Sequence, residues 1–102
     1  MSGQDYARLF EPGAIAGMTL ANRYVVAPMA RISADENGVP GADMRDYYAA
    51  FAGGGFGLII AEGTYTGLAS SQCFPTQPGI ANQAQIDGWR RVTDAVHEAG
   101  GK

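Results

Sequence analysis

Tyr24-Val25-Val26-Ala27-Pro28 is the run on which the reading of this chain turns. Four apolar residues in succession, two of them β-branched, show no alternation of polar and apolar sides. Such a run belongs to a strand buried on both faces, as in a parallel sheet. Asn22 and Arg23 mark the polar end where the strand enters. Pro28 has no N–H to give to a ladder and stops it.

The same logic extends outward. Residues 31–41 are polar and hold Asp35, Asn37, Gly38, Pro40 and Gly41, which predicts a loop. Met44, Tyr47, Tyr48 and Phe51 then recur at i, i+3, i+4 and i+7, one apolar helix stripe. Asp43 stands in its first turn, where the helix dipole favours negative charge. Gly53-Gly54-Gly55 ends it. Phe56–Ala61 is predicted as a second buried strand, closing at Glu62-Gly63. A long loop with Pro75 and Pro78 leads to a second helix over Gln83–Ala99, with Ile86, Trp89, Val92, Val96 and Ala99 on one side. Asn82 reads as its N-cap, with Gln85 completing a capping box, and Gly100-Gly101 as its stop. On the N-terminal side, Leu9–Pro12, Gly13, Ile15, Gly17 and Met18-Thr19-Leu20 predict two short strands around a tight turn.

Hairpin, then β, α, β, α argues for parallel βα units. The fold class expected is α/β, the N-terminal part of a (β/α)8 barrel. Residues 8–22 would form the entry hairpin, 23–52 the first βα unit and 56–99 the second. A complete barrel needs about 250 residues, and residue 102 falls where a third strand should begin. The expectation is an N-terminal fragment of one barrel domain, or one chain of a larger assembly.

Composition narrows the function classes. The chain has 102 residues, 46% hydrophobic and 17% charged, which is globular. Net charge is −3 and the basic residues are scattered, Arg90-Arg91 being the one adjacent pair, so no nucleic-acid patch is visible. No apolar run approaches the roughly 20 residues of a membrane helix, and the N-terminus does not read as a secretory signal. Cys73 is alone, which rules out an internal disulfide and suggests no zinc site. A cytoplasmic setting is expected.

Gly53-Gly54-Gly55-Phe56-Gly57 invites a phosphate-loop reading, but it follows a helix and precedes a strand. A dinucleotide fingerprint does the reverse. It reads as a helix stop and turn. The far ends of the two strands matter more, because a barrel's active site forms there. Pro28 breaks the ladder, and Gly63 lets a flat ring or a phosphate approach the backbone. On the residues alone, the plainer reading is that both simply punctuate strands.

Residues 22–67, NRYVVAPMARISADENGVPGADMRDYYAAFAGGGFGLIIAEGTYTG, are similar to the opening of the old yellow enzyme family. That family carries an N-R-hydrophobic-A/S-P-M/L run on its first barrel strand and G-L-I-I-x-E-A/G on its second. Residues 78–102, PGIANQAQIDGWRRVTDAVHEAGGK, resemble its second loop and helix. The resemblance covers roughly residues 8–102.

It implies an FMN-dependent reductase. NAD(P)H, either NADH or NADPH, would pass hydride to the flavin and the flavin to an activated alkene such as an α,β-unsaturated carbonyl. By position, Ala27, Pro28, Met29 and Ala30 would pack beside the isoalloxazine, with Gly63 near it through its backbone. Ala30 stands where the family often has Thr or Cys, and offers the flavin no hydrogen bond. Ile32 stands where one branch has a substrate-contacting Tyr, which places it in the substrate pocket. No catalytic residue is assigned within the chain. The flavin-binding Gln, the carbonyl-binding His/Asn or His/His pair, the proton-donating Tyr and the phosphate-binding Arg would all lie beyond Lys102.

The remaining candidates have plainer roles. His97 lies off the apolar stripe near a helix end. Glu62 reads as a strand-end hydrogen-bonding residue rather than a base. Cys73 has no adjacent cation to activate it, Trp89 and Met44 read as core, and Tyr65 stands near the expected site without an assigned role. Expected partners are the alkene substrate, the remaining barrel polypeptide and, through resemblance, a second copy of the chain; neither nucleic acid nor membrane is expected. The alternative reading is an inactive barrel fragment that folds only by assembly or swapping and binds no flavin alone. A small α/β binding domain sharing the βα pattern is the third.

Overall fold

A computed structural model describes residues 3–67 and 70–102. The entry is a 3-10 helix, Gly3–Phe10, followed by an antiparallel hairpin of β1 (Gly13–Ile15) and β2 (Met18–Leu20). The two-residue turn places Ala16 at φ +47° and Gly17 at φ +84°. Positive φ at both central residues is the type I′ arrangement, whose twist matches the strands it joins. Leu9 and Phe10, expected in the first strand, belong to the 3-10 helix instead. Phe10 packs its ring on Tyr24 at 5.2 Å, so its apolar surface has a partner without a strand.

β3 (Val25–Val26) and β4 (Leu58–Ile59) pair parallel, Val25 opposite Leu58 and Val26 opposite Ile59. Tyr24 O accepts from Leu58 N at 3.3 Å and Val26 O from Ile60 N at 3.0 Å. Successive residues of a strand point their amides to opposite sides, so Ile59 N faces away from β3. It donates to Lys102 O at 2.9 Å, which sets residue 102 alongside the other edge of β4.

α1 (Ala42–Gly53) and α2 (Gln83–Glu98) cover one side of this pair. Met44, Tyr48 and Ala52 of α1 meet Trp89, Val92 and Val96 of α2, with Ala34 and Ile59 against them. Each fully buried aliphatic side chain here contributes about 1.5–3 kcal/mol. Trp89 Nε1 donates to Gly79 O at 3.1 Å, so its one polar atom is satisfied within the core.

Three expectations change in detail. The strands are shorter than read, and they are buried on one face only: Val26 is 4% exposed, but Val25 is 42% and Ile60 44%. The helices cover one face, and among the described residues nothing covers the other. On α2, Ala99 is the exposed C-cap and Ile86 is half-buried, while Gln85 and Gly88 take buried places. The cap is half a box. Asn82 Oδ1 accepts from Gln85 N at 2.9 Å, but the Gln85 side chain turns to Ala81 N at 2.8 Å rather than to Asn82.

Gln85 is 1% exposed and organises the loops. Its Nε2 donates to Asn37 O and to Tyr65 Oη, each at 2.9 Å. Gly38, at φ +72°, packs so closely beneath Tyr65 and Gln85 that a Cβ there would collide with both. The radius of gyration is 15.5 Å, against about 13 Å for a self-contained domain of this size.

Candidate functional site

Because β3 and β4 run parallel, the segments that follow them leave the sheet at the same end. After β3 come Ala27, Pro28, Met29 and Ala30, all exposed, Met29 by 48%. After β4 come Ile60 and Ala61, exposed, then Glu62, buried, then Gly63, exposed. The result is an open apolar wall. Clefts are also present by Phe10, Asn22, Tyr24 and Phe56, and between Tyr48, Ile59, Trp89 and Val96, the latter reaching the wall at Ala61.

Gly63 needs explaining. Its φ lies outside the left-handed region, and a Cβ would meet only Gln77 Nε2, at an ordinary 3.8 Å. Neither backbone conformation nor packing within this chain calls for glycine. A missing side chain on an exposed apolar wall suits a flat ring system lying close against the backbone. On that observation the wall fits an isoalloxazine. The glycine run 53–55 sits at the opposite end of β4. Gly54 N closes on Ala50 O at 2.9 Å, Gly55 lies at φ +98°, and Asn22 Nδ2 donates to Gly55 O at 2.6 Å. It is a helix stop clamped to the start of β3.

Behind the wall stands a polar cluster. Tyr48 Oη donates to Glu62 Oε2 at 3.2 Å and accepts from Glu62 N at 3.0 Å. Burial pushes the Glu62 carboxyl above the ordinary carboxylate range; the bond from Tyr48 and the nearby Arg31 charge and amide oppose that shift. Burial also pushes the Tyr48 phenol from 10.0 to about 12, helped by the Glu62 charge. Glu62 Oε1 is buried with no hydrogen-bond partner among the described residues. The Arg31 guanidinium stacks 3.7 Å above the Tyr47 ring, and Tyr47 meets Tyr48 edge-on with centroids 5.1 Å apart. The cluster links the turn after β3, through α1, to the turn after β4.

Ile32 is 46% exposed at φ +47°. Its carbonyl accepts from Thr76 Oγ1 at 2.7 Å, joining the loop after β3 to the loop after β4. Tyr65 turns inward, 6% exposed against Gln85 and Gly79, and lines no open site. His97 and Cys73 are exposed. Nothing in the local sequence marks Arg31, Tyr48 or Thr76 as neighbours of this wall. Tyr48 lay on the core stripe of α1, and only the tertiary fold shows its hydroxyl under Glu62.

The family model described as "NADH:flavin oxidoreductase / NADH oxidase family" matches residues 8–102. The chain is 46% identical over 98 residues to 12-oxophytodienoate reductase 7 of Oryza sativa subsp. japonica, covering 96% of this chain and 24% of that protein. It is 42% identical over 93 residues to a probable flavin mononucleotide-dependent alkene reductase of Leishmania infantum, covering 91% of this chain and 25% of that one. Among solved structures, the old yellow enzyme from Trypanosoma cruzi superposes with a TM-score of 0.86 at 41% identity, over 95% of this chain and 26% of that one. The chain thus spans about a quarter of the length of the curated relatives it matches. The hairpin and two βα units are the N-terminal part of an old-yellow-enzyme-type barrel.

Proposed function

This chain belongs to the NADH:flavin oxidoreductase / NADH oxidase family, and on that footing we propose that the complete protein is an FMN-dependent ene-reductase to which residues 27–30 and 63 contribute one wall of the flavin site. FMN is the cofactor of the family and NAD(P)H its reductant. When bound, the flavin supplies the hydride chemistry, taking hydride from NAD(P)H and giving it to an activated alkene of the α,β-unsaturated carbonyl type.

The observation that carries the reading is Gly63: an exposed glycine, on the wall built by the ends of β3 and β4, that its own chain does not require. Ala27, Pro28, Met29 and Ala30 offer a rigid apolar face to the ring. Pro28 keeps this face free of ladder pairing. Ala30 gives no side-chain hydrogen bond to the flavin edge, so tuning there falls to backbone groups and to the charge distribution behind the wall. Ile32, held out by its left-handed backbone, borders the alkene. Glu62 keeps the turn before Gly63 in place through Tyr48. The naming of one relative as an alkene reductase supports the substrate class. Residues 1–102 alone form an open wall, and we expect them to hold no flavin and to be inactive.

The test is spectroscopic. Purified complete protein should carry bound FMN. Anaerobic NADPH or NADH should bleach it, and 2-cyclohexen-1-one should restore the oxidised spectrum. Colourless protein that takes up no FMN, or reduced protein that the enone leaves unchanged, would contradict the proposal.

A further inference from the structure

Two β-branched residues 44 positions apart, Ile32 and Thr76, both occupy the left-handed backbone region, at φ +47° and +60°. Side chains branched at Cβ are seldom found there, so each such residue invites a search for what holds it. Here each holds the other. Thr76 Oγ1 lies 2.7 Å from Ile32 O, and Thr76 O accepts from Ala34 N at 3.0 Å. The first contact is made by a side chain and the second by the backbone. The same hydroxyl lies 2.6 Å from its neighbour Pro75 O, so its one proton is shared between two carbonyls. The bracket fixes Ile32 as a large apolar residue left 46% exposed. Thr76 also lines a cleft with Phe74 and Glu36.

We propose that Thr76 is a positioning residue for substrate: its hydroxyl pins the Ile32 carbonyl and thereby aims the Ile32 side chain at the alkene. This rests on the reading of Ile32 as part of the substrate pocket. Among the described residues, Thr76 has no hydrogen bond to the proposed flavin wall, and its one tie to the core is the backbone bond from Ala34 N, which does not involve the hydroxyl. The hydroxyl's part is therefore in how substrate is seated and not in the hydride step. Removing the hydroxyl should therefore weaken enone binding while leaving turnover and FMN binding intact.

The experiment uses the complete protein loaded with FMN, with 2-cyclohexen-1-one as probe. Thr76→Gly removes the hydroxyl at a position whose backbone suits glycine, and it keeps the bond from Ala34 N, so the loop should fold. KM is expected to rise about tenfold, the scale of a mis-seated apolar contact. Meanwhile kcat and the FMN dissociation constant stay within about twofold. Thr76→Ser, which keeps the hydroxyl, should restore KM. Ile32→Ala should raise KM to a similar degree, and the double variant should add nothing further, because both changes remove one contact. If Thr76→Gly leaves KM unchanged while Ile32→Ala raises it, the pocket reading stands and this inference falls. If Ile32→Ala has no effect, the pocket reading falls and takes the inference with it. Loss of FMN from Thr76→Gly would also overturn it, by assigning the loop to the cofactor.

Discussion

Tyr48 and Glu62 bond to each other twice: the phenol donates to the carboxylate at 3.2 Å and accepts the glutamate's own backbone N–H at 3.0 Å. One hydroxyl thus fastens the middle of α1 to the turn after β4, one residue before Gly63. The position of the proposed flavin wall depends on a side chain from the helix behind it.

Tyr48→Phe keeps the ring packing and removes both bonds. It leaves a buried N–H and a buried carboxylate oxygen unpaired, each costing about 1–3 kcal/mol. Denaturant unfolding of the complete protein should show a loss of about 2–6 kcal/mol for the two groups together. A loss below a few tenths of a kcal/mol would mean that water or another group takes over the pairing.

The same pair makes a pH prediction. The folded Glu62 carboxyl is raised above its ordinary value of 4.5, so the folded protein keeps a proton that the unfolded chain releases. Stability from this group is full below pH 4.5 and is lost as pH rises through the folded value. Tyr48 behaves alike at the other end: its contribution is full below pH 10 and lost as pH rises through about 12. Stability measured against pH should therefore decline above 4.5 more steeply in the native protein than in Glu62→Gln. Parallel curves would show that Glu62 titrates normally.

Gln85 tests the loop framework. Its side chain serves Ala81 N, Asn37 O and Tyr65 Oη at once. Gln85→Leu preserves volume but strands those groups, and a loss of about 2–4 kcal/mol is expected from thermal or denaturant unfolding. Gln85→Glu should be intermediate, since it keeps the acceptor for Ala81 N and loses the donor. A Leu variant as stable as the native protein would show that the network contributes little.

What the sequence revealed followed its periodicities. The stripe Met44, Tyr48 and the stripe Trp89, Val92, Val96 located both helices and most of the core. Unbroken apolar runs located two strands, and their parallel pairing follows from the intervening helix. Where a residue answers to distant neighbours, local pattern said little. Gln85 read as a cap residue, because nothing near it in sequence points to Tyr65 or Asn37. Leu9 and Phe10 read as strand, because apolar character alone does not separate a short strand from a 3-10 turn packed on Tyr24. The unbroken apolar run at Tyr24–Ala27 implies burial of Val25 on both faces, whereas burial depends on what lies opposite. The left-handed Ile32 and Thr76 have no sequence signature, since both residue types ordinarily avoid that conformation.

The flavin wall is tested most directly by the FMN dissociation constant of Gly63→Val in the complete protein, measured alongside its thermal unfolding. A Cβ at this position meets nothing closer than 3.8 Å, so folding should be little changed. FMN affinity should fall by about tenfold or more, as expected when a ring is pushed off a backbone it lies against. Native affinity in a well-folded Gly63→Val protein would remove this position from the cofactor site and contradict the account.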